Sequence, residues 1–233
     1  MTSKTLKWIA IITMTLDHIG LYLVSPAHQT LLLILRGFGR LAFPLFAFFI
    51  SEGFKHTHDV KKYFLRLLVY ALIIQVFLTI FYFVTQVNYM IIGNVFWPLV
   101  FGLLSVILIK ENKIILTILG FSLIIIADLI GFPYGGYGVA LILVFTFVKP
   151  FARQVFYSVI VHLAYIAYPI ALLIPGYVTR YNLPVESIQW VAMLSFIPIY
   201  FYNGKLGKMN KYFFYVYYPV HLAVIFGISL LLK

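Results

Sequence analysis

A chain of 233 residues that is 64% hydrophobic and only 10% charged cannot cover a water-soluble surface, since soluble domains are about 45–50% apolar and about 25% charged. The formal charge of +11 therefore reads as basic residues at anionic lipid headgroups, and a nucleic-acid role is rejected. There is no cysteine, which excludes disulfides, thiol nucleophiles and a thiolate acyl-enzyme.

In chain order, apolar blocks run over 6–24, 31–50, 64–84, 90–109, 114–130, 136–148, 154–174, 186–202 and 212–232. A helix of about 20 apolar residues crosses the hydrocarbon and satisfies its own backbone. The predicted fold is an all-α integral membrane protein, a polytopic bundle of about nine transmembrane helices. The first block has a basic flank but is long for a signal h-region and is followed by no Ala-x-Ala site, so it is expected to be a retained helix. The sixth block is short, follows Gly135-Gly136-Tyr137-Gly138, and is expected to begin irregularly. No long loop offers a second domain, so residues 1–233 are expected to form a single transmembrane domain. The halves show no repeat, which counts against an inverted-repeat transporter. The 18 tyrosines suit interfacial belts.

The basic residues orient the bundle. With Lys4 and Lys7 inside, the inside loops hold Lys55, Lys61 and Lys62; Lys110 and Lys113; Lys149 and Arg153; and Lys205, Lys208 and Lys211. Arg66 lies just inside its helix at the same face. The outside connections 25–30, 85–89 and 131–135 hold no Lys or Arg, 175–185 holds only Arg180, and Lys233 ends the chain outside. Positive charge marks the cytoplasmic face, so the alternation predicts an N-in, C-out topology.

Ionisable groups within apolar spans are costly, which makes them the first functional candidates. The first span carries Asp17 and His18, the second Arg36, Arg40 and, at its inner end, Glu52. A short loop makes these two spans antiparallel neighbours. His18 and Arg36 then lie at one depth, about 9 Å below the outer end at 1.5 Å per residue. Arg40 is one turn deeper on the same face. An ion pair from Asp17 to Arg36 or Arg40 is expected. Ala10, Thr13, Asp17 and Gly20 form a small-residue face for close helix contact. Lys7, Ile11, Met14 and His18 form another, on which Lys7 stands three turns from His18 with an offset of about 20°.

A neutral histidine can take and return a proton, and Lys or Arg at the cytoplasmic mouth can grip phosphates. The residues thus point to acyl transfer from a phosphate-bearing cytoplasmic donor to an acceptor met within or across the membrane. A bridging role for Asp17 and His18, with no chemistry, stays open. Elsewhere, His56 and His58 with Glu52 and Asp59 read as a solvated loop rather than a metal site, and no metal is expected. His162 reads as a packing residue and Asp128 as a hydrated one near the outer interface. His221 follows Tyr217-Tyr218-Pro219, where Pro219 frees a carbonyl and can kink the helix; function and packing stay open there. Gly37 and Gly39 are expected to allow close packing around the arginines.

Several of these segments resemble the TraX family. They are Lys7-Trp8-Ile9-Ala10-Ile11-Ile12-Thr13-Met14 with Asp17-His18-Ile19-Gly20, and Arg36-Gly37-Phe38-Gly39-Arg40-Leu41-Ala42-Phe43-Pro44-Leu45-Phe46-Ala47-Phe48. Ser51-Glu52-Gly53-Phe54, His56-Thr57, Tyr63, Arg66 and Leu67 follow. Near the end come Tyr202-Asn203-Gly204, Gly207, Phe213-Phe214-Tyr215 and Tyr218-Pro219-Val220-His221-Leu222. The resemblance runs end to end, densest over 7–67. It implies a membrane acetyltransferase like the family's pilin N-acetylase, grouped with acyltransferase-3-like enzymes. In those a basic residue precedes a first-helix histidine by eleven positions, the spacing of Lys7 and His18 here, with Lys where Arg is usual. It further implies acetyl-CoA as donor, His18 as the transfer base, and Arg36 and Arg40 as site residues.

The expectation is therefore an acetyltransferase of a bacterial-type cytoplasmic membrane. Its acceptor would be an amine or hydroxyl on a protein N-terminus, glycan or lipid. His18, Asp17, Arg36 and Arg40 are the catalytic candidates. Lys7, Lys61, Lys62 and Arg66 are candidate contacts for the donor phosphates, and Glu52, His221 and Tyr218 are further candidates. A proton-coupled transporter or flippase, or a non-enzymatic membrane assembly factor, would use the same charged residues differently.

Overall fold

The computed structural model describes residues 1–85, 94–167, 188–207 and 213–232. The described residues are helical throughout, joined by turns. The helices are α1 (Ser3–Leu23), α2 (Gln29–Gly39), α3 (Ala42–His56), α4 (Val60–Thr85), α5 (Phe96–Lys110), α6 (Ile114–Ile130), α7 (Gly135–Phe147) and α8 (Phe151–Ala167). A 3₁₀ stretch, Ile188–Ser195, leads into a short α9 (Phe196–Tyr200), and α10 is Phe213–Leu231. Among the described residues, three helical stretches, Ser3–Leu23, Gln29–His56 and Val60–Val84, are long and apolar enough to cross a membrane, and six shorter apolar ones accompany them. The positions 90–93, 168–174, 186–187 and 212 of the expected blocks lie outside the described residues. So do Arg180, Lys208, Lys211 and Lys233.

The outer faces are those of a protein dissolved in lipid. Ile114, Ile115, Ile118, Phe121, Ile125 and Leu129 of α6 are exposed, while Gly120 and Ala127 are its buried positions. That arrangement inverts a soluble amphipathic helix and places small residues at the helix contact.

One expectation needs correction. The second block is not one straight helix: it breaks at Arg40-Leu41. Pro44 has no N–H to donate to the Arg40 carbonyl, so the ladder fails one turn before it. The Arg40 N–H meets the carbonyls of Arg36 and Gly37, both at 3.1 Å, and Leu41 N–H that of Phe38 at 3.2 Å. The sixth block begins irregularly, as expected: Tyr134 is left-handed at φ 62° and Gly135 stands at φ 21° where α7 starts. Pro219 lies inside α10.

The chain divides into two compact units. The first comprises Met1–Phe46 and His162–Lys233. In it α1 packs on α2 and on α10, and α2 on the 3₁₀ stretch. Tyr218, His221, Leu222, Ile225, Phe226 and Ser229 form the buried stripe of α10, at the three- and four-residue spacing of one helix face. The start of α1 is tied to the segment after α9. Ser3 N–H donates to Lys205 O at 2.8 Å and Lys4 N–H to Leu206 O at 3.1 Å, which satisfies two donors that a helix start leaves open. Asn203 N–H donates to Met1 O at 2.9 Å, and the Met1 ammonium to Phe201 O.

The second unit, Ala47–Val161, is built around α7, where Gly135–Val139 and Leu141–Phe145 are buried. A Cβ on Gly102 of α5 would collide with Ile142 of α7. Ser105 Oγ donates to Gly120 O at 2.6 Å, joining α5 to α6. The turn from α6 to α7 has a Schellman form. Gly131, at φ 81°, donates to Asp128 O at 2.9 Å and Phe132 N–H to Ala127 O at 3.3 Å.

Candidate functional site

The site begins with the small-residue face of α1. A Cβ on Gly39 would run into the Asp17 side chain, and one on Gly20 would stand 3.0 Å from Leu35 Cβ and 3.4 Å from Arg36 Cγ. A Cβ on Gly37 would stand 3.3 Å from Ile188 Cγ2. These glycines bring α1, α2 and the 3₁₀ stretch close enough for Asp17 to reach both arginines. Asp17 Oδ2 accepts from Arg36 Nη1 at 2.9 Å, and Oδ1 from Arg40 Nη2 at 2.7 Å. The three side chains are only 10–13% exposed. Sequence spacing pointed to one pair, and the structure holds both. Arg40 Nε also donates to Arg36 O at 3.3 Å, at the C-terminal end of α2. One carboxylate facing two guanidiniums leaves the trio with a net positive charge.

His18, next to Asp17 but turned about 100° away on the helix, faces α10. Its Nδ1 lies 2.8 Å from His221 Nε2, with the rings stacked at 5.0 Å. Tyr218 is set edge-on against both imidazoles, 6.3 Å from His18 and 5.3 Å from His221. Tyr217 lies nearly parallel to His221 at 5.1 Å, and its hydroxyl is 2.7 Å from Thr15 Oγ1. Thr15 and Tyr217 were not anticipated. Their only signal was position, one turn from His18 and His221 on their own helices. Lys7 is half-buried on α1, three turns from His18.

The remaining candidates are placed as follows. Glu52, Lys61, Lys62 and Arg66 belong to the second unit. Glu52 pairs with Lys55 at 3.0 Å and lies 3.6 Å from His56 Nε2. Lys61, Lys62 and Arg66 are exposed at the start of α4, Lys62 with Asp59 at 3.3 Å and Arg66 over the Tyr63 ring at 5.7 Å. His162 is fully buried in the first unit. Asp128 is not simply hydrated. Its Oδ1 accepts from Gly136 N–H at 2.6 Å and so caps α7; a side chain at Gly135 would collide with it, and one at Gly136 with Ile124 O. Among the described residues, no group of three or more His, Cys, Asp or Glu could hold a metal ion.

These elements define an all-helical membrane protein with a buried charged trio and a histidine pair joining its first, second and last helices. The chain belongs to the TraX family, whose model, described as TraX protein, matches residues 2–229. The family is associated with pilin N-acetylation. Over 98% of its length the chain is 29% identical to a Dichelobacter nodosus protein named probable fimbrial assembly protein FimC, serogroup H1, of which the match covers 96%. It is also 42% identical over 77 residues to the uncharacterized protein RP591 of Rickettsia prowazekii (strain Madrid E), a match covering 33% of this chain and 27% of that protein. No solved structure matches it at a significant level.

Proposed function

We propose that the protein is an acetyl-CoA-dependent acetyltransferase, a single domain of nine spans, N-in and C-out, in a bacterial cytoplasmic membrane. It transfers the acetyl group to an amine or hydroxyl of a membrane-associated or extracytoplasmic acceptor, by analogy with the pilin N-terminus of its family. The observation that carries this reading is the hydrogen-bonded His18, held beside the Asp17–Arg36–Arg40 trio in a chain that matches TraX over 2–229.

His18 acts as the general base. It takes the proton of the attacking amine or hydroxyl as that group's lone pair adds to the thioester carbonyl. The carbon–sulfur bond then breaks, and the protonated His18 returns the proton to the thiolate that leaves. Arg36 and Arg40 offer positive charge to the oxyanion formed on the way, and Asp17 keeps the two guanidiniums compatible with burial. Lys7, on the helix that carries His18 and about 16 Å from it along the axis, receives the donor's phosphates.

The name of the D. nodosus relative favours a second reading, a non-catalytic assembly factor. One experiment separates the two. Purified protein in liposomes is given radiolabelled acetyl-CoA and lysate acceptors, wild type beside His18→Ala, with thermal unfolding as a control for folding. His18-dependent label on a peptide, glycan or lipid is expected. Near-normal turnover in a folded His18→Ala would remove His18 from the chemistry. No label and no acetyl-CoA binding by the wild type would reject the acetyltransferase.

A further inference from the structure

His221 does more than fill space beside His18. Its Nδ1 lies 3.0 Å from Tyr217 O, one helical turn back on α10. A carbonyl oxygen only accepts, so Nδ1 of His221 carries the hydrogen. In a neutral ring Nε2 then keeps its lone pair. That lone pair faces Nδ1 of His18 at 2.8 Å, so His18 must donate from Nδ1. A neutral His18 is thereby left with its lone pair on Nε2. With both rings neutral, no other arrangement of hydrogens satisfies both contacts.

The support extends one turn further. Thr15 Oγ1 donates to Ile11 O at 2.8 Å, so it accepts from the Tyr217 hydroxyl at 2.7 Å. This fixes the Tyr217 ring, which stacks on His221. The α1–α10 contact is thus pinned at two levels, Thr15 to Tyr217 and His18 to His221.

We infer that His221 is a positioning residue that fixes the tautomer of His18, keeping the basic lone pair on Nε2 and accepting a stronger hydrogen bond from Nδ1 when His18 is protonated. The inference rests on the proposed role of His18 for its meaning in catalysis, but the tautomer itself is a separate observable. The logic is that of any catalytic histidine whose second nitrogen is held by a hydrogen-bond partner. A backbone-anchored imidazole stands here where other enzymes use a carboxylate.

The test uses the full chain in lipid nanodiscs with ¹⁵N-labelled histidine rings, the His18 signals being those lost in His18→Ala. Wild type should show a protonated Nδ1 and an unprotonated Nε2 on His18. His221→Phe should release that preference, since a neutral histidine in water favours hydrogen on Nε2. His221→Gln, whose amide oxygen can accept from Nδ1, should restore it. In the acetyl-transfer assay, His221→Phe should lower kcat by on the order of 10²-fold with little change in KM, and His221→Gln should recover to within about tenfold of wild type. A wild-type His18 with hydrogen on Nε2, or a tautomer that ignores residue 221 in folded variants, would overturn the inference. The tautomer pattern without any acetyl transfer by the wild type would uphold the positioning and reject the enzyme.

Discussion

The two compact units hold their helices together by different means. In Ala47–Val161 the central helix α7 is buried almost all round; α5 and α6 meet it at Gly102 and at the Asp128 cap on Gly136, and meet each other at Gly120. The unit's polar links include Ser105 to Gly120 O, Asn94 Nδ2 to Ala71 O at 2.9 Å, and Trp97 Nε1 to Gln75 Oε1 at 3.2 Å, all between neutral groups. The unit of Met1–Phe46 and His162–Lys233 also uses glycines, but spends their close approach on bringing a carboxylate to two guanidiniums and one imidazole to another. Lipid supplies no hydrophobic drive between helices, so small residues alone are enough for packing. Buried charge is the costly alternative, and its concentration in one unit separates the candidate site from scaffold.

The largest expected effect tests that division directly. Asp17→Asn removes the carboxylate that both Arg36 and Arg40 reach, and should cost about 3–5 kcal/mol of unfolding free energy in bicelles. Asp128→Asn, in the other unit, keeps an oxygen for Gly136 N–H and should cost less than about 1 kcal/mol. Equal losses would erase the distinction. A middle-sized effect asks whether close packing is shared. Gly39→Ala drives a methyl into Asp17, and Gly102→Ala drives one into Ile142. Each should cost about 1–3 kcal/mol, but only Gly39→Ala should also reduce acetyl transfer. Gly227→Ala, with nothing within 4 Å of the added carbon, should be neutral or stabilising by about 0.5–1 kcal/mol.

Sequence carried the charged trio well, for a physical reason. Arg36 and Arg40 are one turn apart and Asp17 faces them across a short loop, so local helix geometry was enough. The same rules cover the small-residue face of α1. The break after Arg40 was written in Pro44 but was masked by unbroken hydropathy from 31 to 50. The pairing of His18 with His221 could not be read, because the two lie 203 positions apart and spacing within a helix says nothing about which helices meet. The Asp128 cap had a signal, an acid shortly before two glycines at a helix start, that hydropathy outweighed. The strap of 203–206 over the start of α1 consists of backbone bonds, which side-chain patterns do not encode.

The smallest effect lies outside the apolar spans and asks whether the scaffold unit responds to pH at its exposed edge. Asp59 precedes α4, and its Oδ1 accepts from Lys62 N–H at 2.9 Å, a helix cap. That backbone bond, aided by the Lys62 side chain, holds the Asp59 carboxyl below its ordinary value. A depressed folded-state pKa means the carboxylate's contribution is fully present above the ordinary aspartate range and is lost as pH falls through the lower, folded value. Amide exchange over the first turn of α4 should therefore stay slow at neutral pH and quicken only in strong acid. Asp59→Asn, which caps without titrating, should leave exchange slow and flatten that response. A quickening near neutral pH would mean that some other group controls this turn. No change in Asp59→Ala would mean that the lipid-embedded remainder of α4 holds its first turn without the cap.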